Sequence, residues 1–182
     1  MLNRRIIGLN KKISVLTQAF TIALLPPLWA VVSGLCSITV GAVALIVAGL
    51  YAAAGSDIKK AMPITLGFLC GDVWAVIASS IMCVLDFNPN VELYCILFVM
   101  GGLAVIIGSV FEKWIYVPAW LCGWAIGLTL LGNFTTAEFG TLPVQIGIAM
   151  IAGVWYVGVL GDIFQKLLIK FIYNFDRHPG GQ

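Results

Sequence analysis

The sequence predicts an all-α integral membrane protein with six transmembrane helices. Of its 182 residues, 61% are hydrophobic and only 10% are charged, whereas soluble domains carry about 25% charged residues. The mean hydropathy is +1.05. The apolar residues form runs of about 20 residues, which is the length that a helix needs to cross a bilayer. All ten lysines and arginines fall on one side of the resulting topology. These three observations together predict the fold class.

The apolar runs divide the chain into three parts. Residues 1–12 form an amphipathic lead-in on the cytoplasmic surface, residues 13–162 one membrane domain, and residues 163–182 a cytoplasmic juxtamembrane helix and tail. The predicted spans are about Ile13–Ser33, Ile38–Ala54, Met62–Leu85, Val91–Phe111, Trp114–Leu131 and Thr141–Leu160. Pro26 and Pro27 remove two backbone donors from the first span, so we expect a kink or a break there.

The positions of the charges predict the orientation of these spans. With the amino terminus inside, the cytoplasmic segments are 1–12, 55–61, 112–113 and the tail. These segments contain every lysine and arginine, and the outer loops contain only the acids Asp86, Glu92 and Glu138. Because cationic residues are retained on the cytoplasmic side, we expect both termini in the cytoplasm.

The third span carries an acid near its middle. On a helix, Thr65, Asp72 and Ser79 share one face because they are spaced by seven residues. A carboxylate at the centre of a bilayer costs about 2.5–3.5 kcal/mol on insertion scales. We therefore expect this polar stripe to face a solute pathway; the alternative is a structural carboxyl group that is hydrogen-bonded to a neighbouring helix.

An internal similarity indicates an inverted repeat of three spans each. Met62-Pro-Ile-Thr-Leu-Gly67 resembles Leu142-Pro-Val-Gln-Ile-Gly147 at an offset of 80 residues. Repeats with three spans each would be inverted, and such folds place their binding site near the midplane between the halves. Thr65 and Gln145 would be equivalent residues, and Tyr156 would extend the second polar stripe.

Two further patterns occur in the membrane domain. Trp120 and Trp124 lie one turn apart on the fifth span, where they could flank a slot for a flat solute or belong to an interfacial aromatic belt. Gly67-xxx-Gly71 and Gly123-xxx-Gly127 predict close packing of the third and fifth spans.

The sequence offers no site for catalysis or for a bound cofactor. It has one histidine, His178, in the tail, and its five cysteines form no metal-ligand spacing. A membrane hydrolase needs a nucleophile with a base, or a metal with its ligands. We therefore expect no enzyme activity, cofactor, metal or nucleic-acid partner.

The runs Gly49-Leu-Tyr-Ala-Ala-Ala-Gly55 and Gly71-Asp-Val-Trp-Ala75 resemble the YcdZ-like family of small bacterial inner-membrane proteins of unknown function. Val117-Pro-Ala-Trp-Leu-Cys-Gly123 resembles its second glycine-aromatic segment. The resemblance spans most of residues 20–160 and implies a multi-pass protein of the bacterial inner membrane. An apolar residue is expected at position 72 in that pattern. A weaker likeness in architecture links the chain to urea and amide channels.

The favoured function is a channel or facilitator for a small neutral polar solute such as urea or an amide. Thr65, Asp72, Ser79, Gln145 and Tyr156 would line the pathway, where they would replace the hydrogen bonds of water. Two alternatives remain, a proton-coupled secondary transporter that uses Asp72 and a membrane scaffold without transport. Besides the solute and the lipid bilayer, the expected partner is the chain itself, as a homo-oligomer with three copies as the working number.

Overall fold

The computed structural model describes residues 2–84, 88–132 and 134–176, with side chains from residue 13 to residue 173 in these ranges. The regular structure in these ranges is helical. The helices are α1 (Leu2–Leu35), α2 (Val43–Ala53), α3 (Ile58–Met82), α4 (Pro89–Val110), α5 (Val117–Leu131), α6 (Leu142–Ala152), a π-helical segment (Gly153–Leu160) and α7 (Gly161–Asp176). The last three continue into one another, so the described residues form six helical rods, the number that the sequence predicts.

Four of the six rods are long and apolar enough to cross a membrane: Ile13–Leu35, Ile58–Met82, Pro89–Val110 and Leu142–Tyr173. The other two, α2 and α5, have 11 and 15 residues, or roughly 17 and 23 Å at 1.5 Å per residue. They are shorter than the predicted second and fifth spans, because turns replace helix before Val43 and Val117. Hydropathy measures apolar composition only, so it does not show where a helix gives way to a turn.

The ends of the third and fourth rods are fixed by local hydrogen bonds. The carboxylate of Asp57 accepts from the backbone N–H of Lys59 at 3.0 Å, and the side chain of Asn88 accepts from that of Asn90 at the same distance. Such caps satisfy backbone donors that a helix leaves free at its start. Between α2 and α3 the chain turns through Gly55 at φ +97° and Ser56 at φ +50°.

Helices run continuously across both of the predicted boundaries, at residues 12/13 and 162/163. The backbone of the lead-in continues into α1 without interruption, and α1 runs through Pro26 and Pro27, so no break occurs there. At the other end, α7 continues the sixth rod and does not form a separate helix. Residues 177–182 of the predicted tail lie outside the described residues.

The centre of the bundle is α3. It packs along α5 on one side and contacts α6 and the π-helical segment on another, while α2 packs against that segment and α1 packs against α7. On α4 only every fourth residue is buried (Glu92, Ile96, Met100, Ala104 and Gly108), so this helix lies at the edge.

Candidate functional site

The α3–α5 interface is built from glycines on both helices. A Cβ atom at Gly67 would lie 2.6 Å from the carbonyl oxygen of Tyr116, and one at Gly123 would lie 2.6 Å from that of Phe68. Because no side chain fits there, the two backbones are in direct contact. The predicted close packing of these helices is therefore confirmed.

This packing places Asp72 at a junction of three helices. A Cβ atom built on Gly127 of α5 would lie 3.7 Å from Oδ1 of Asp72, and one on Gly147 of α6 would lie 3.5 Å from Oδ2. Asp72 is near the middle of α3 and is 7% exposed. The carboxyl group thus lies between two glycines, where neighbouring side chains would otherwise fill the space.

No described residue donates a hydrogen bond to Asp72, and its Oδ1 is buried without a partner. The ion pair that the described residues form is elsewhere, between Lys166 and Asp162. A buried carboxyl group without a donor costs free energy, and such groups in membrane spans mark solute or proton pathways. Asp72 is therefore the principal candidate for a functional residue.

The other two residues of the predicted stripe are also buried on α3. Thr65 donates to the carbonyl oxygen of Ala61 at 2.8 Å and accepts from Nε1 of Trp155 at 3.1 Å. The hydroxyl of Ser79 has no described partner. Thr65 is therefore engaged in structure, whereas Ser79 retains hydrogen-bonding capacity.

Gln145 and Tyr156 make their contacts away from Asp72. Oε1 of Gln145 accepts from both the backbone N–H of Thr39, at 3.0 Å, and its hydroxyl, at 3.2 Å, while Nε2 donates to Thr141. These bonds tie the α1–α2 connection to the start of α6. The ring of Tyr156 packs near Trp29, with 6.3 Å between the centroids. Both residues thus have structural contacts that account for them.

The two tryptophans of α5 make contacts with α3 and α4. Trp120 meets Trp74 edge to face at 5.3 Å between centroids, and Trp124 lies beside Gly101 of α4. Both rings are at most 5% exposed, and their Nε1 atoms have no described partner. The two rings therefore pack where α3, α4 and α5 meet. α4 is the helix that covers this side of α5.

Sequence analysis missed the π-helical segment. Its glycines allow α2 to approach: a Cβ atom at Gly153 would lie 2.7 Å from the carbonyl oxygen of Ala44, and one at Gly158 would lie 2.8 Å from the ring of Tyr51. The spacing of these glycines is the available sequence signal, but spacing does not distinguish π from α hydrogen bonding.

The loop between α5 and α6 contains a capped turn. Oε2 of Glu138 accepts from both the backbone N–H and the hydroxyl of Thr135, each at 2.9 Å. These hydrogen bonds hold the pKa of Glu138 below its ordinary value. Among the described residues, no group of three or more histidine, cysteine or acidic side chains is arranged to hold a metal ion.

Among the described residues, four helices long and apolar enough to cross a membrane indicate a helical membrane protein. The chain belongs to the family described as protein of unknown function DUF1097, whose model matches residues 19–166. No curated protein and no solved structure shows significant similarity to the chain. The resemblance to the YcdZ-like family and to urea channels therefore stays a prediction, and function has to be argued from the site.

Proposed function

We propose that the protein is a membrane facilitator for a small neutral polar solute that donates hydrogen bonds, such as urea or an amide. The observation that supports this proposal is the carboxyl group of Asp72, which is buried near the middle of α3 without a hydrogen-bond donor. Gly127 and Gly147 present no side chain to its two oxygens. A solute N–H group would supply the missing donor. Ser79, two turns along the same face, would offer a further polar contact elsewhere on the path.

The geometry favours a carrier over an open pore. Asp72 is only 7% exposed, and the amide of Gln145 is occupied by Thr39 and Thr141. A solute could reach Asp72 only if the helices around it moved. We therefore propose alternating access, in which α6 and its π-helical continuation move against α3.

The helix contacts support an inverted repeat for this mechanism. In a repeat of three helices each, α2 corresponds to α5 and α3 to α6. The pairing of α3 with α5 then corresponds to the pairing of the sixth rod with α2, and both pairings occur. Asp72 would lie where the halves meet. The proposal includes cytoplasmic termini and the bacterial inner membrane.

A second candidate is proton-coupled transport by the same residue. It is favoured because no described cation is paired with Asp72, so a proton could neutralise its charge in the membrane. In this version Asp72 would bind a proton in one half of the cycle and release it in the other. The solute class and the site would be unchanged.

The test is uptake of urea, formamide and acetamide into proteoliposomes, followed by stopped-flow light scattering. Asp72→Asn removes the charge, and Gly147→Ala adds one methyl group that meets Oδ2 of Asp72 and Leu69 at ordinary contact distance, 3.5 Å. Gly147→Ala should therefore fold normally and still obstruct the carboxyl group. Gly102→Ala is the matched control, because a Cβ atom there meets nothing within 4 Å.

We expect saturable uptake of at least one solute, and this uptake should be unchanged in Gly102→Ala. In Asp72→Asn and Gly147→Ala the uptake should fall at least about tenfold, because a tenfold loss corresponds to one charge-assisted hydrogen bond. Uptake that follows an imposed pH gradient only with Asp72 present would select the proton-coupled version. Inert proteoliposomes, together with a stoichiometric partner that co-purifies from native membranes, would overturn transport in favour of a scaffold.

A further inference from the structure

A cavity lies apart from the Asp72 site. A cleft of about 190 Å³ opens between α1, α2 and the start of α7. Its polar lining includes Gln18, Tyr51, Ser56, Asp162 and Gln165. None of the residues around Asp72 lines it. Under the predicted orientation it lies on the cytoplasmic side.

The best-buried polar group of the cleft is Tyr51. This residue is 1% exposed, and its hydroxyl group has no partner among the described residues. Its ring rests against Gly158, where any side chain would collide with it. The carboxylate of Asp162 lines the same cleft, and Asp57 lies close by in sequence as the N-cap of α3. The hydroxyl group is therefore fixed at the acidic end of the cleft.

Hydrogen-bond acceptors of two other residues line the same cleft. The carboxylate of Asp162 forms an ion pair with Lys166 through Oδ2 at 2.6 Å, and the ion pair leaves Oδ1 to accept another donor. Gln165 uses its Nε2 to donate to the carbonyl oxygen of Ser14 at 3.2 Å, so its Oε1 is still able to accept. The missing partner is thus a group with several donors.

The wall formed by α1 adds a backbone acceptor. Pro26 has no N–H group, so the carbonyl oxygen of Ile22 lacks its helical hydrogen bond, and both residues line the cleft. The rest of the lining, including Leu45 and Ala48 of α2, is apolar. The cleft thus combines an apolar wall with an acidic, acceptor-rich end.

The π-helical part of the sixth rod forms one wall of the cleft through Val157 and Gly158. The π-helical segment Gly153–Leu160 ends just before Asp162, and such segments occur frequently at functional sites. On the other helix, Gly49 meets nothing within 4 Å and lines the cleft. Its missing side chain leaves part of the volume empty.

We propose that this cleft binds a small primary ammonium ion on a compact apolar body. An ammonium group presents three donors and no acceptor, which matches the hydroxyl of Tyr51, the carboxylate of Asp162 and the amide oxygen of Gln165. The apolar body would contact Leu45 and Ala48. The positive charge would be attracted to the carboxylate of Asp162, which it would share with Lys166. The proposal is independent of transport through the Asp72 site.

The test is calorimetric titration of the purified full-length protein in detergent with n-butylammonium chloride. n-Butanol, which keeps the apolar body without the charge, and n-butyltrimethylammonium, which keeps the charge without N–H donors, are the comparison ligands. Tyr51→Phe removes only a hydroxyl group that has no described partner, so this variant should fold. Asp162→Asn removes the charge, and Tyr94→Phe on α4, 68% exposed, is the matched control.

We expect saturable binding of n-butylammonium that is at least about tenfold tighter than that of either comparison ligand. Tyr51→Phe and Asp162→Asn should each weaken it by at least about tenfold, and Tyr94→Phe should not change it. Equal binding of the trimethylated ion, or unchanged binding in Tyr51→Phe, would overturn the proposal. Binding of n-butanol alone would show an apolar crevice without ammonium recognition and would overturn it as well.

Discussion

Two helix pairs of this bundle use glycine in different ways. In the α3–α5 pair both helices contribute glycines, and a Cβ atom at Gly67 or Gly123 would lie 2.6 Å from a backbone oxygen of the other helix. In the pairing of α2 with the sixth rod, the close contacts come from Gly153 and Gly158 of the rod. Gly49 of α2 meets nothing within 4 Å and lines a cleft.

The comparison shows that the placement of glycine decides whether a helix pair closes or leaves space. Glycines that face each other bring two backbones together and exclude a ligand. A glycine that faces a large ring, as Gly158 faces Tyr51, supports that ring while leaving room beside it. The α3–α5 pair therefore serves as the scaffold, and the sixth rod forms both the Gly147 wall of the Asp72 site and one wall of the cleft.

The largest expected effect comes from a substitution that separates the closely packed α3–α5 pair. Gly71→Val would place a side chain in the backbone of α5, because a Cβ atom at this position already collides with the carbonyl oxygen of Trp120. We expect loss of the monodisperse folded protein in fluorescence-detected size-exclusion chromatography. Gly102→Val, on the open surface of α4, is the matched control. A folded Gly71→Val protein with an unchanged melting temperature would contradict the scaffold role.

The pairing of α2 with the sixth rod should tolerate an added side chain better than the α3–α5 pair. Gly158→Ala would bring a methyl group to 2.8 Å from the ring of Tyr51, and overpacking of this kind costs about 1–3 kcal/mol. We expect a folded protein with a lower melting temperature in detergent. Gly49→Ala serves as the control, since open space surrounds it, and should be neutral or slightly stabilising. Equal melting temperatures for these two variants would refute the contact between Gly158 and Tyr51.

A smaller effect is expected at the hydrogen bond that joins the two regions. Nε1 of Trp155 donates to Thr65 of α3 at 3.1 Å. A double-mutant cycle with Trp155→Phe and Thr65→Val should give a coupling energy of about 0.6 kcal/mol, typical of hydrogen bonds between membrane helices. Reversible unfolding in mixed micelles measures it. A coupling energy of zero would show that the bond does not stabilise the fold.

The smallest effect is expected in the loop that connects the two regions. Hydrogen bonds from Thr135 lower the pKa of Glu138 from its ordinary value of 4.5. The stabilisation is therefore fully present above pH 4.5 and is lost as the pH falls through the lowered pKa. Glu138→Gln should reduce the melting temperature slightly above pH 4.5, with the difference from the unmodified protein vanishing in more acidic solution. If the difference in melting temperature between the two proteins grew as the pH fell, the stabilising role of the Glu138 carboxylate would be contradicted.

Sequence reasoning captured what depends on composition and regular spacing. Six helical rods, the contact between the two small-xxx-small patterns and the burial of Thr65, Asp72 and Ser79 along α3 follow from hydropathy and the helical period. These features repeat along the chain, so periodicity reveals them.

The partners of individual side chains could not be predicted in the same way. Gln145 shares a polar stripe in sequence, yet its amide is engaged by Thr39, 106 residues away. Trp120 and Trp124 turn towards α4 because that helix covers their side of α5. The π-helical segment depends on which carbonyl accepts each N–H group, and residue type does not determine this choice.

The proposed function requires that Asp72 is held in the bundle at a cost to stability, for the benefit of a ligand. The most direct test is thermal unfolding of the solute-free protein and of Asp72→Asn in the same detergent. A buried carboxyl group without a partner destabilises the fold, so Asp72→Asn should unfold at a higher temperature, by roughly 2–4 °C for each kcal/mol gained. Unfolding of Asp72→Asn at a lower temperature would show that the carboxyl group holds the helices together and would contradict its role as a solute site.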